Sequence, residues 1–174
     1  MKKLLSAALF VGVALVALGC GQKTPDGMPP LQPTTLTITQ DGSPVADAMI
    51  TLKALDGGNN FTSGGTTGAN GAANLVTHGQ YKGVPEGKYK VAVSKIVGEG
   101  TPPPPSPIDE ESARVWKEYQ DSGATYEEFN VIDTKYSVIE TTDLEIEVVK
   151  GKNDLTLEVG APIHEKVNVG GGVL

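Results

Sequence analysis

Apolar and polar residues alternate with a period of two over most of the chain, which is the signature of strands half-buried against a core. Thr35-Leu36-Thr37-Ile38-Thr39 puts Leu36 and Ile38 on one face and threonines on the other. Gln40-Asp41-Gly42-Ser43-Pro44 is turn chemistry, because glycine takes positive φ and proline locks its own φ at about −65°. Ala48-Met49-Ile50-Thr51-Leu52-Lys53 alternates again, with Ala48, Ile50 and Leu52 inward, so the two runs predict a hairpin. Leu55 to Gly65 reads as a Gly/Asn/Ser-rich loop, and Thr66 to Gly71 ends in Asn-Gly, a pair favoured in tight hairpin turns. Ala73 to Thr77 forms a short strand. Val84-Pro85-Glu86-Gly87 turns into Lys88–Ser94, which places Tyr89, Val91 and Val93 inward. Leu144–Val148 and Asp154–Val159 alternate around Lys150–Asn153 and read as a closing hairpin. The pattern predicts an all-β fold: an antiparallel, Greek-key-type β-sandwich of roughly seven strands. Such a body buries roughly fifteen to twenty apolar side chains at about 1.5–3 kcal/mol each, enough to offset chain ordering without a disulfide.

One segment breaks the pattern. Residues 97–133 read as a Pro-rich, partly helical insertion. Thr101–Pro107 holds five prolines in seven residues and predicts polyproline II, a rigid spacer or a ligand for an aromatic groove. Ser106 reads as a helix N-cap with Pro107 at the first helical position and Asp109, Glu110 and Glu111 in the first turn. The helix runs to about Gln120 and brings Ile108, Val115, Trp116 and Tyr119 together for docking on the sandwich. Thr125-Tyr126-Glu127-Glu128 predicts a second short helix through a capping box. Trp116, Tyr119, Tyr126 and Phe129 concentrate here and read either as a satellite core or as a partner surface. Tyr89, just after Pro-x-Gly, is either a plain core aromatic or a tyrosine whose hydroxyl bonds back across the turn.

The N-terminus carries a different signal. Met1-Lys2-Lys3 precedes an apolar run from Leu4 to Leu18, too short for a spanning helix and suited to a secretory signal. It ends at Cys20, the only cysteine. Loss of residues 1–19 would leave 12 basic against 21 acidic residues, a net charge of −9, which disfavours adhesion to anionic lipid headgroups. Gly21–Pro33, with four prolines and two glycines, reads as a tether reaching up to about 40 Å. The organisation expected is therefore a signal over 1–19, a tether over 20–33, the sandwich over 34–160 and a flexible tail over 161–174.

Two resemblances sharpen these expectations. Val16-Ala17-Leu18-Gly19-Cys20 resembles the lipobox of bacterial lipoproteins, with Ala17 where leucine is commoner. It implies a diacylglycerol on the Cys20 thiol, cleavage before Cys20 and acylation of the new amine, commonly with palmitate. Gly21 and Gln22, with no aspartate after the cysteine, point toward the periplasmic face of the outer membrane rather than inner-membrane retention. Asp41–Ala48, Thr66–Gly71 and Val84–Val91, in that order, resemble the landmarks of carboxypeptidase regulatory-like domains, whose fold is transthyretin-like (prealbumin-like). The insertion and Lys135-Tyr136-Ser137 also match small secreted lipoproteins carrying this domain. The resemblance implies a non-catalytic structural or interaction module.

Composition narrows function further. A net charge of −7 argues against nucleic-acid binding, which needs clustered Lys and Arg. One cysteine and two histidines exclude an internal disulfide and the Cys/His zinc patterns. Neither His78 nor His164 sits in a nucleophile motif, and Gly64-Gly65 lacks the Lys-Ser/Thr of a phosphate loop. Asp56–Asn60 lacks the calcium-loop spacing, and Asn60-Phe61-Thr62 is a glycosylation sequon not used by default in a bacterium. The expectation is no catalytic, cofactor or metal site, lipidation at Cys20, and a structural or protein-interaction role in the cell envelope. The partner is an envelope protein or a glycan, and the alternative role is a carbohydrate- or small-ligand-binding module using loop tips and the insertion aromatics.

Overall fold

The computed structural model describes residues 24–56 and 61–167. The expected signal, Cys20, residues 57–60 of the Asp56–Asn60 stretch, and the terminal glycines lie outside the described residues. The strands are β1 (Leu31–Gln32), β2 (Thr34–Gln40), β3 (Ser43–Pro44), β4 (Met49–Ala54), β5 (Ser63–Thr66), β6 (Ala72–Asn74), β7 (Val76–Thr77), β8 (Tyr81–Lys82), β9 (Val84–Pro85), β10 (Gly87–Ser94) and β11 (Ile96–Gly100). Helix α1 (Glu110–Asp121) and β12 (Tyr126–Asn130) follow, then a 3-10 turn (Thr134–Tyr136), β13 (Glu145–Val148), β14 (Asn153–Glu158) and β15 (Glu165–Lys166).

The body is all-β. One sheet runs β13-β10-β4-β5-β7-β8, and a second runs β14-β2-β3 with β6 also on β2. Both feed one core: Leu36, Ile38 and Ala73 from the second sheet meet Ile50, Leu52, Tyr89, Val91, Val93, Ile146 and Val148 from the first. Every inward residue expected on β2, β4, β10 and β13 is buried, and Glu145 and Glu147 point to solvent.

Strand partners differ from the simple expectation. The first two runs do not form a hairpin with each other. β2 folds back only onto the two-residue β3, through Asp41 and Gly42 at φ 48° and 72°, and β4 then joins the other sheet beside β10. The closing hairpin is also absent: β13 pairs antiparallel with β10, and β14 pairs parallel with β2. An inward apolar face directs both strands to the core but does not say which layer each joins. The sandwich is therefore not wholly antiparallel.

At each crossing the chain leaves its ladder beside the core, and side chains take up backbone groups that have lost their strand partners. Buried Thr67 does this where β3 passes to β4: its hydroxyl accepts from the Ala48 amide (2.8 Å) and donates to the Val45 carbonyl (2.6 Å). Asn153 closes the β13–β14 corner, accepting from the Val149 amide and donating to the Val149 and Gly151 carbonyls. Gln32 accepts from the Gly151 amide. Tyr89 resolves to the second of its readings: it is buried, and its hydroxyl donates to the Pro85 carbonyl at 2.8 Å. No buried side-chain nitrogen or oxygen among the described residues lacks a partner. The β2–β3 turn is tied from outside by Glu158, which accepts from the Thr39 hydroxyl and the Asp41 and Gly42 amides.

Strand pairing reaches past both expected ends of the sandwich. Leu31 and Gln32 pair with Pro85 and Val84, and the Gln32 side chain also reaches the β13–β14 corner. Residues 165–166 add β15 to β12.

Two substitutions test the crossings by urea denaturation. Thr67→Val strands one amide and one carbonyl in the interior and is expected to cost about 2–4 kcal/mol. Tyr89→Phe leaves the Pro85 carbonyl unpaired and is expected to cost about 0.5–1.5 kcal/mol; a smaller loss would leave the hydroxyl without a role.

Candidate interaction surface

β11 continues β10 almost without a break, with only Lys95 between them, but changes partner. Beyond Lys95 the strand leaves β4 and β13 and pairs with β12, from Ile96↔Asn130 to Gly100↔Tyr126. The insertion is thus a β-hairpin arm flanked by β15. The second helix expected over 125–128 is strand β12 instead. A local cap is worth about 1 kcal/mol, less than a five-residue ladder that also suits the aromatic residues Tyr126 and Phe129.

The arm's tip holds the proline run and α1. The N-cap is Asp109, not Ser106: its carboxylate accepts from the Ser112 amide, and Ser112 reciprocates toward the Asp109 amide. Ser106 precedes Pro107, which keeps its backbone extended and delays the helix. Glu110 and Glu111 occupy the first turn as expected, where the helix dipole favours them.

α1 buries no residue and does not dock on the sandwich. It packs on its own proline run. The Trp116 indole N–H donates to the Pro105 carbonyl, and the Tyr119 hydroxyl donates to the Thr101 carbonyl at 2.9 Å. The two rings meet edge to face at 6.0 Å. Ile108 stays 92% exposed and Val115 43%.

The four aromatics expected as one cluster therefore split. Trp116 and Tyr119 clamp the prolines. Tyr126 lies across Gly98, where any Cβ would overlap its ring. Phe129 stacks on His164 at 3.9 Å, and His164 Nε2 lies 2.9 Å from a Glu99 carboxylate oxygen. Lys166 pairs with Glu127. His78 lies elsewhere, in left-handed backbone (φ 52°), its ring 5.1 Å from that of Phe61. It rims a groove of about 460 Å³ with Met49, Thr51 and Thr62.

Charge is the signal that composition alone concealed. Residues 96–131 carry eight acids and two bases, a net −6 out of −7 for the whole chain. The rest of the protein is nearly neutral. Among the described residues no three His, Cys, Asp or Glu side chains converge as a metal site, and no helix is long and apolar enough to cross a membrane. No family model, curated protein or solved structure matches this chain.

The cap gives the tip a pH signature. The Ser112 hydroxyl, then the Ser112 amide, holds the Asp109 carboxyl below its ordinary value. A carboxyl lowered by folding contributes fully above the ordinary Asp range, near about 3.9, and loses that contribution as pH falls through its lowered value. Trp116, the only tryptophan, reports on the clamp. Its fluorescence is expected to change as pH drops below about 3.9, and Asp109→Asn is expected to remove that transition. A transition unchanged in the variant would assign it to another group.

Proposed function

We propose that this protein is an exported, lipid-anchored, non-catalytic β-sandwich that serves the cell envelope as a structural or protein-interaction module. Its anchor is Cys20, within Val16-Ala17-Leu18-Gly19-Cys20. Two or three acyl chains hold a protein stably on a bilayer, whereas one holds it marginally. The body is read as a Greek-key, transthyretin-like sandwich of the carboxypeptidase regulatory-like kind. The turn at Asp41-Gly42, the Asn70-Gly71 turn and the Pro85-x-Gly87-x-Tyr89 corner support that reading.

The observation that carries the interaction role is where the arm lies. The chain enters at β1, whose partner β9 ends two residues before β10 begins. The arm leaves from the other end of β10, where Gln40 of β2 donates to the Val131 carbonyl at its base. Eight residues of β10 and five of β11 span about 40 Å at roughly 3.3 Å per residue. The point where the chain enters the body and the tip of the arm therefore lie at opposite ends of β10 and β11, and on this reading the acidic hairpin is carried away from the membrane.

A glycan-binding role is the second reading. The groove beside Phe61 and His78, with the Thr51 and Thr62 hydroxyls, favours it, since sugars use a ring platform with polar neighbours.

Cys20→Ser is expected to move the protein from the membrane to the soluble fraction. The mass of the wild-type mature N-terminus is expected to begin at Cys20 and include acyl chains. Wild-type protein recovered soluble and trimmed elsewhere overturns the anchor. Crosslinking in the native envelope is expected to capture a protein through residues 96–131.

A further inference from the structure

The arm leaves one edge of its sheet open. β12 covers one side of β11 and is itself flanked by β15; among the described residues nothing pairs with the other side of β11. The direction of its backbone groups follows from the bonds at either end. The Lys95 carbonyl accepts from Val131, and the Thr101 amide donates to Thr125, so the odd-numbered residues face β12. In an antiparallel strand the alternate residues face the opposite way. Ile96, Gly98 and Gly100 therefore present three N–H and three C=O groups to the open edge. Two of the three carry no side chain.

The ground beside this edge is apolar on one face. By strand alternation Met49, Ser94, Ile96, Gly98 and Tyr126 share the outer face, through the pairings Met49↔Ser94 and Gly100↔Tyr126. Met49 is 61% exposed, Ile96 52% and Tyr126 37%. These side chains form a strip along the open edge, and Tyr126 resting on Gly98 extends it. Acids surround the strip: Glu128 lies opposite Gly98 in register, and Glu99 sits mid-strand on the other face. Proteins usually guard such an edge with lysine, proline or a bulge. Here only Glu99 interrupts it.

We infer that this edge receives an extended segment of a partner protein as an added strand, with apolar residues of that segment on the Met49–Ile96–Tyr126 strip and basic residues alternating with them. Backbone hydrogen bonds would supply affinity and the alternate side chains specificity, as in strand addition generally. The net −6 of the arm selects a basic segment and speeds its encounter. The site is the arm's root and shaft, leaving the self-clamped tip unused. The inference rests on the interaction role proposed above.

The test uses the full mature chain and an acetylated eight-residue peptide of alternating lysine and valine. Hydrogen exchange read by NMR is expected to slow at Ile96, Gly98 and Gly100. A glutamate–valine peptide is expected to bind at least about tenfold more weakly, since like charges oppose it. Ile96→Lys is expected to weaken the lysine–valine peptide by about tenfold or more. Glu99→Lys with Glu128→Lys, which takes the arm from −6 to −2, is expected to narrow the preference between the peptides without loss of the β-sheet circular dichroism; an unchanged preference overturns the charge selection. Protection confined to β13 or β14, or equal binding of both peptides, overturns the edge assignment while leaving the interaction role standing. Protection that grows with protein concentration before peptide is added seats a second copy there and overturns the partner assignment. Failure of both peptides, together with no crosslinked protein in the envelope, overturns the interaction role itself.

Discussion

A buried backbone must find hydrogen bonds wherever it leaves a ladder, and that requirement organises this protein. Its two main sheets share one core, and the chain passes between them along the edge of that core. At those passages the partners are side chains: the Thr67 hydroxyl between β3 and β4, the Asn153 amide between β13 and β14, and the Tyr89 hydroxyl at the entry to β10. Where the site is buried, as at Thr67, an unpaired amide or carbonyl would cost about 1–3 kcal/mol, a large part of a domain's net stability. The apolar core supplies the drive to collapse. These few polar groups decide that the collapse ends in this arrangement of strands.

The arm follows from the same rule. β10 and β11 are nearly one long strand, but the body covers only its first part. Past Lys95 the backbone would stand bare on both sides unless the chain brought its own partner, and β12 is that partner on one side. Far from the core there is little to bury, so the tip stabilises itself by folding α1 onto its proline run. Trp116 and Tyr119 are engaged by that clamp, which is why neither a satellite core nor a four-residue aromatic patch forms. What the arm offers outward is charge, a short apolar strip and an open strand edge, which begin at its root and end about 40 Å from the start of β10.

Much of the fold was legible in the residues, and the limits have identifiable causes. Alternation identified the inward face of β2, β4, β10 and β13, because burial of one face is written into every second position. Asp41-Gly42 was legible as a turn, because positive φ restricts which residues fit. Pairing was less legible. β13 and β14 each display a valid core face, and nothing in that display says they belong to different sheets. Thr125–Glu128 satisfies the rules of a helix start, yet it is a strand because β11 supplies a ladder beside it. The cap moved from Ser106 to Asp109 because Pro107 restrains the residue before it. The concentration of acid on the arm was present in the sequence, but it acquires meaning only once the arm's limits are known.

The sequence by itself determined the strand periodicity, the inward residues and the turn positions. These depend on local chemistry and on a residue's preference for or against water. The tertiary structure alone decided which strands pair, where the chain changes sheets, that the insertion is a hairpin rather than two helices, and which edge stays open. Those outcomes depend on hydrogen-bond partners more than fifty residues away, such as Gln32 for Gly151 and Gln40 for Val131, and such distant pairings leave no periodic trace in the chain.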